Sequence, residues 1–292
     1  MKNLYLKANK DQRIERLCKQ DQMQSVEATA GLQLLEAWFA GDAYENHRHD
    51  TYAIGITDLG VQCYDYRGAT QCSTPGSVMV LHPDEMHNGR AGSAEGFGYR
   101  MLYVEPVLIA DAVRNITGRY CPLPFVKESV CDNPYLAQAV LLAADGSLAN
   151  SESLAVDQVM LLLAQGLINA DSSCIDPANN VLFDTRAVDK VREYLDAFDD
   201  RVVHSSELES ITGLSRYDLS RQFNKLLGTS PYRYSVNRRL DKARKLIGKM
   251  PLTELALQCG FADQAHLSRL FKTTFGLTAG KYAKLNTLKN RD

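Results

Sequence analysis

The chain reads as an α+β protein of two domains: an antiparallel β-barrel followed by helices, then an all-α domain carrying two helix-turn-helix motifs. Three observations predict this. Short strands separated by Gly and Pro turns fill residues 31–104. Helical periodicity takes over after Glu105-Pro106. Residues 205–282 then carry one pattern twice: Leu219-Ser220-Arg221-Gln222-Phe223 returns 48 residues later as Leu267-Ser268-Arg269-Leu270-Phe271, and Gly228 returns as Gly276. Glu207-Leu208 matches Glu254-Leu255 at a spacing of 47, so the second copy has one extra residue in its turn. A repeat of this length is a supersecondary unit used twice.

Residues 1–25 are polar and charged and read as a short helix or loose arm. In 32–39, Leu32, Leu34, Glu36 and Trp38 alternate with Gln33, Leu35, Ala37 and Phe39. Strands follow at 52–57, 61–66, 69–73, 77–81 and 99–104, with turns at Gly60, Arg67-Gly68 and Pro75-Gly76. A helix at 107–117 is bounded by Gly118. Another at 134–144 starts with Asn133 as cap and Pro134 at its first position. The helix at 153–170 is apolar on more than one face, so it is either buried among other helices or meets a partner subunit. Ser, Pro and Asn residues between 171 and 180 mark a linker. The predicted domains are 1–171 and 185–292, joined by 172–184. An amphipathic helix at 186–198, with Val188, Val191, Leu195 and Phe198 on one side, opens the second.

Each copy of the repeat reads as helix, turn, helix. Gly213 closes the first helix of copy one, and Ser215 with Asp218 three residues on starts the next. Leu219, Phe223 and Leu226 form its apolar face, leaving Arg216, Tyr217, Ser220 and Arg221 on or beside the other. In copy two Asp263 caps, Leu267, Leu270 and Phe271 face inward, and Gln264, His266, Ser268, Arg269 and Lys272 face outward. Arginine on such a helix suits guanine edges in a major groove, and Ser or Lys suits phosphates. A small helical bundle with solvated charges would explain one copy; two matched copies argue against it. The helix between them, with an apolar stripe at 236, 240, 243 and 247, fixes their spacing. Two recognition helices on one face of DNA stand roughly 34 Å apart.

The paired motif, with Gly-Phe-x-Asp-Gln-x-His-Leu-Ser-Arg-x-Phe-Lys at 260–272, resembles the DNA-binding domain of the AraC/XylS family of bacterial transcription regulators. The resemblance covers about the last hundred residues. It departs from the family at Ala279, where a proline is usual. It implies double-stranded DNA as a partner, a small-molecule effector, a homodimer, and RNA polymerase as a further partner.

Charge supports the division. The formal net charge is −2, but residues 184–292 hold 20 Lys and Arg against 13 Asp and Glu, while residues 1–183 hold 13 against 22. One half is therefore basic and the other acidic. No apolar run reaches the roughly 18 residues a membrane span needs, and the N-terminus lacks a signal-peptide core, so a cytoplasmic protein is expected. Seven cysteines with no Cys-x-x-Cys indicate neither a disulfide framework nor a zinc module. Cys63 and Cys72 face each other across a hairpin and are expected to stay reduced, as cytosolic pairs mostly do.

His47-Arg48-His49, with His87 after a Pro turn, resembles the cupin barrel, and residues 75–81 fit the sensor barrel of the same regulator family. Metal-binding cupins add a glutamate shortly after the histidine pair; Thr51-Tyr52-Ala53-Ile54 offers none, and Asp50 should point to the other face of a strand. Neither a metal nor a cofactor is expected. Trp38, His47, Arg48, His49, Tyr52, Tyr64, His87 and Arg100 are candidate walls of an effector site at the barrel mouth. The expected function is a sequence-specific, effector-responsive transcription regulator and not an enzyme. The rivals are a cupin-type metal-dependent enzyme fused to a DNA-binding tail and an architectural DNA binder without sequence preference.

Overall fold

The computed structural model describes residues 21–145, 153–176 and 184–287. Residues 1–20 of the expected arm and part of the linker lie outside the described residues, while residues 22–25, read as part of that arm, belong to the first strand.

Among the described residues, ten strands form two antiparallel sheets. The six-stranded sheet runs β1 (Gln22–Thr29), β2 (Leu32–Phe39), β9 (Phe97–Val104), β4 (Tyr52–Gly60), β7 (Val78–Leu81), β10 (Val130–Cys131). The four-stranded sheet runs β3 (Asp42–His47), β8 (His87–Ala91), β5 (Gln62–Tyr66), β6 (Ala69–Ser73). Side chains alternate across a strand, and both faces of the larger sheet are apolar. Leu35, Ala37, Ala53, Met79, Tyr99 and Met101 face the interior shared with Tyr64 and Tyr66 of the smaller sheet. Leu32, Leu34, Tyr52, Ile54, Val80 and Leu102 face the opposite way, onto helices.

Those helices are α1 (Pro106–Thr117), α2 (Pro134–Ala143) and α3 (Ser153–Ala170). Asn133 caps α2 by accepting from Leu136 N–H at 3.2 Å and donates to the Gly166 carbonyl of α3 at 2.9 Å, locking the pair together. A 3₁₀ turn, Ser172–Ile175, buries Cys174 and closes this half. In the β5–β6 hairpin the register sets Cys63 directly opposite Cys72, and the two are disulfide-bonded. The expectation of reduced thiols fails there, because cross-strand pairing places the two sulfurs within bonding reach.

The remaining helices are α4 (Thr185–Ala197), α5 (Ser205–Thr212), α6 (Arg216–Leu227), α7 (Pro231–Leu246), α8 (Leu252–Gln258), α9 (Gln264–Phe275) and α10 (Ala279–Thr287). Val188, Val191, Leu208, Leu219, Phe223 and Tyr234 form the core of the first helix-turn-helix. The second packs Leu240, Leu255, Cys259, Phe261, Leu267, Phe271 and Tyr282, and this cluster is continuous with the interior of the two sheets. The basic half thus rests directly against the β half.

Candidate functional site

Two regions concentrate the candidate chemistry: the paired recognition helices and the seam between the halves. The recognition helices are built by local rules. Ser215 Oγ accepts from Asp218 N–H at 3.2 Å and donates back to its carboxylate at 2.9 Å. Asp263 accepts from His266 N–H at 2.7 Å. Gly228 and Gly276 end α6 and α9 in the left-handed region, at φ 68° and 67°. Arg216, Tyr217, Ser220 and Arg221 are exposed on α6, with Tyr217 at 74%. Arg221 is held only by Asp218, an exposed pair at 2.8 Å that water and salt weaken. On α9, Gln264 and Arg269 are exposed, and His266 and Ser268 are half-buried, His266 lying edge-on to Phe261.

Lys272 keeps an outward side chain, 42% exposed, but is engaged by the β half. Its ammonium pairs with Glu45 of β3 at 2.7 Å. One turn around it, Arg48 N–H donates to the Thr273 carbonyl at 3.0 Å and Glu45 N–H to the Gly276 carbonyl at 3.4 Å. The C-terminal turn of α9 is therefore docked on the β half. Much of the basic charge of α7 is also turned inward: Arg239 donates to the Gly260 carbonyl at 2.9 Å, and Arg238 and Arg244 are largely buried.

The seam encloses a cavity of about 420 Å³. Strand residues Met23, Leu35, Tyr44, His47 and Tyr103, with His49 just past the end of β3, form one wall, and Arg238, Asp241, Arg244, Phe275 and Tyr282 form the other. Arg238 is bonded to Glu105, stands 3.3 Å from Asp241 and 3.7 Å from Asp50, and lies over the Tyr234 ring. Burial would lower the pKa of Arg238, but these carboxylates raise it well above the usual guanidinium range. Burial lifts Asp50 to about 6, against the pull of Arg238. Asp50 was expected on the far face of a strand. It lies after β3 ends, in the turn before β4, and points into the seam.

His47, His49 and His87 are buried against one another, with rings 4.3 Å (His47 to His87) and 4.9 Å (His49 to His87) apart. Each Nδ1 faces a backbone carbonyl, that of Glu45, Thr51 or Glu85, at 2.8–2.9 Å. A carbonyl only accepts, so each Nδ1 carries the proton and each Nε2 is a bare acceptor. Burial first, then neighbouring imidazoles, hold His47 well below the usual range and His49 at about 3; burial alone lowers His87 to about 4. Among the described residues no three His, Cys, Asp or Glu side chains are disposed to hold a metal ion, and no carboxylate joins the imidazoles.

Of the eight candidate effector residues, only His47 and His49 line the seam cavity, with His87 just behind them. Strand parity explains most of the rest. Trp38, Tyr52 and Arg100 sit at even positions of the larger sheet, away from its interior. Tyr52 donates to the Pro124 carbonyl at 2.8 Å, and Arg100 is paired with Asp58. Tyr64 is interior, but its hydroxyl is taken by Ser129. Arg48 turns to Asp84, 3.6 Å away. The seam residues did leave a signal in the sequence: Arg238, Asp241 and Arg244 recur at i, i+3 and i+6, acid between bases, on the helix read as the connector between the two copies.

A family model described as AraC-like ligand binding domain matches residues 29–164, and one described as helix-turn-helix domain matches 208–285. The chain is 27% identical over 226 residues to an uncharacterized HTH-type transcriptional regulator, YbfI, of Bacillus subtilis, covering 77% of this chain and 81% of that one. It is 23% identical to the arabinose operon regulatory protein of Escherichia coli, covering 79% and 80%. Among solved structures, unsaturated fatty acid bound ToxT from Vibrio cholerae superposes with a TM-score of 0.61 at 15% identity, covering 89% of this chain and 97% of that one.

Proposed function

The chain belongs to the AraC-type family of transcription regulators, and from that premise we propose that a small-molecule effector in the seam cavity sets how its two recognition helices meet DNA. It is a DNA-binding regulator with an N-terminal ligand-binding domain and a C-terminal helix-turn-helix region. The observation that carries the proposal is that the cavity is walled by both halves. A molecule seated there contacts β1–β3 on one side and α7 with the end of α9 on the other. It binds one packing of the halves better than another, and that difference in affinity is what shifts the population.

We assign base reading to Arg216, Tyr217, Ser220 and Arg221 in the first copy and to Gln264, His266, Ser268 and Arg269 in the second. Lys272 is a phosphate contact that Glu45 withholds while the halves are docked. Residues 1–171 form the sensor and 185–292 the DNA-binding part. Dimerisation is placed on α3, where Leu154 (83% exposed) and Leu161 leave apolar surface in solvent. RNA polymerase is a further partner of the regulator, its place is the cytoplasm, and its role is regulation without catalysis.

The test is a thermal-shift screen of the chain against a metabolite panel, followed by gel shifts with DNA selected from a random pool. A compound that raises Tm, as a ligand of the folded state must, should also change operator affinity. A panel in which binders raise Tm but leave DNA affinity unchanged would contradict the coupling.

A further inference from the structure

We propose that the seam cavity takes a small organic cation, a primary amine or its equivalent, with Asp50, Glu105 and Asp241 as its counter-charges. This rests on reading the cavity as the effector site.

Charge comes first. Five carboxylates line the cavity, those of Glu27, Asp50, Glu105, Asp196 and Asp241, against three cations, Arg238, Arg244 and Lys245. Each of those cations is already in an ion pair, Arg238 with Glu105, Asp50 and Asp241, Arg244 with Asp241 at 3.1 Å, Lys245 with Glu27 at 2.8 Å, although Arg238 Nε itself lacks an acceptor. An anion entering here must break a pair and face two surplus negative charges. A cation shares carboxylates already paired with Arg238 and Arg244 and is drawn by the surplus of two negative charges, in surroundings where burial strengthens the attraction.

The second observation is independent of charge. His49 is 7% exposed and lines the cavity, and its Nε2 has no hydrogen-bond partner. Because Nδ1 carries the ring proton, Nε2 is an acceptor that lacks a donor. An ammonium N–H supplies one once the ring turns its buried Nε2 towards the cavity. A carboxylate or ether ligand would leave it orphaned, and a buried unpaired polar group is costly.

The third is the aromatic lining. Tyr44, Tyr103, Phe275 and Tyr282 all contribute to the wall, and aromatic ring faces attract cations. The cavity volume of about 420 Å³ suits a ligand of modest size with an apolar body.

The test uses the chain and two matched series at neutral pH: phenethylamine, phenethyl alcohol and hydrocinnamate, and hexylamine, hexanol and heptanoate. At least one amine should raise Tm by about 3 °C or more near saturation, with its alcohol and carboxylate counterparts shifting it by less than about 1 °C. Asp50→Asn and Glu105→Gln, on separate segments of the chain, should each weaken the amine at least about tenfold. Whichever variant keeps a wild-type circular dichroism melt is the one read. Stabilisation by a carboxylate or alcohol in place of the amine overturns the cation assignment and leaves the effector reading standing. Amine binding that neither variant weakens overturns the placement in this cavity. Silence from both amines overturns the proposal, while the wider metabolite panel judges the effector reading separately.

Discussion

His47, His49 and His87 are three bases kept neutral by burial, with neighbouring imidazoles adding to it at His47 and His49. Their folded pKa values lie below the unfolded value near 6.5, so their contribution to stability is complete above about pH 6.5. It is lost as pH falls towards about 4 and 3, because the unfolded chain takes up protons that the folded one refuses. Asp50 runs the other way: raised to about 6, it favours the folded state as pH falls. Three histidines outweigh one aspartate. His82, buried and lowered to about 4, adds to them, so urea denaturation should show a net loss on the order of 5 kcal/mol between pH 6.5 and 4.5, and His87→Gln should flatten that dependence. A stability that stays level or rises on acidification would contradict it. At the DNA face, Arg221→Ala should relax preference at one or two base pairs and cost about 1–3 kcal/mol of discrimination in binding assays on operator variants. Equal loss on operator and scrambled DNA would make Arg221 a phosphate clamp and move readout to Arg216, Tyr217 or Ser220.

At the scale of single elements, glycine caps offer a controlled comparison. Gly118 and Gly276 share a left-handed φ near 70°, but a Cβ at Gly118 meets nothing within 4 Å, whereas one at Gly276 meets His47 at 2.9 Å and Tyr44 at 3.0 Å. Gly118→Ala should cost about 1 kcal/mol of stability, the backbone penalty alone. Gly276→Ala should cost roughly 1–3 kcal/mol more, because the β3–α9 packing must also give. Equal losses in thermal melts would mean that the halves are not docked as described. The helix-turn-helix units were legible in the sequence for the same local reasons: caps at Ser215 and Asp263, terminal glycines, and apolar residues at i and i+4. The sheets were legible as strands but not in their facing. Leu32 and Leu34 are as buried as Leu35 and Ala37, so a period of two carries no sign, and Trp38, Tyr52 and Arg100 could not be excluded from the site. His47 and His49 were legible as a motif. Asp50, Glu105 and Asp241 were not, since their surroundings exist only once α7 meets the sheet.

The whole molecule couples a basic half to an acidic one through the pairs that line and flank the seam. Glu45→Gln removes the partner of Lys272. The freed ammonium should steepen the dependence of DNA binding on salt by about one unit and tighten binding on all sequences alike. In the Glu45→Gln background, Lys272→Ala should undo both effects. An unchanged salt slope in Glu45→Gln would show that the pair does not hold Lys272 back.

The central claim is that two recognition helices read DNA together under control of the seam. Hydroxyl-radical footprinting of the chain on selected DNA tests it most directly, with and without the compound that raises Tm. Two protected segments on one face of the duplex, about 10 base pairs apart, with protection that changes when the compound is added, is the predicted result. Protection that spreads evenly along any sequence and ignores the compound would contradict it.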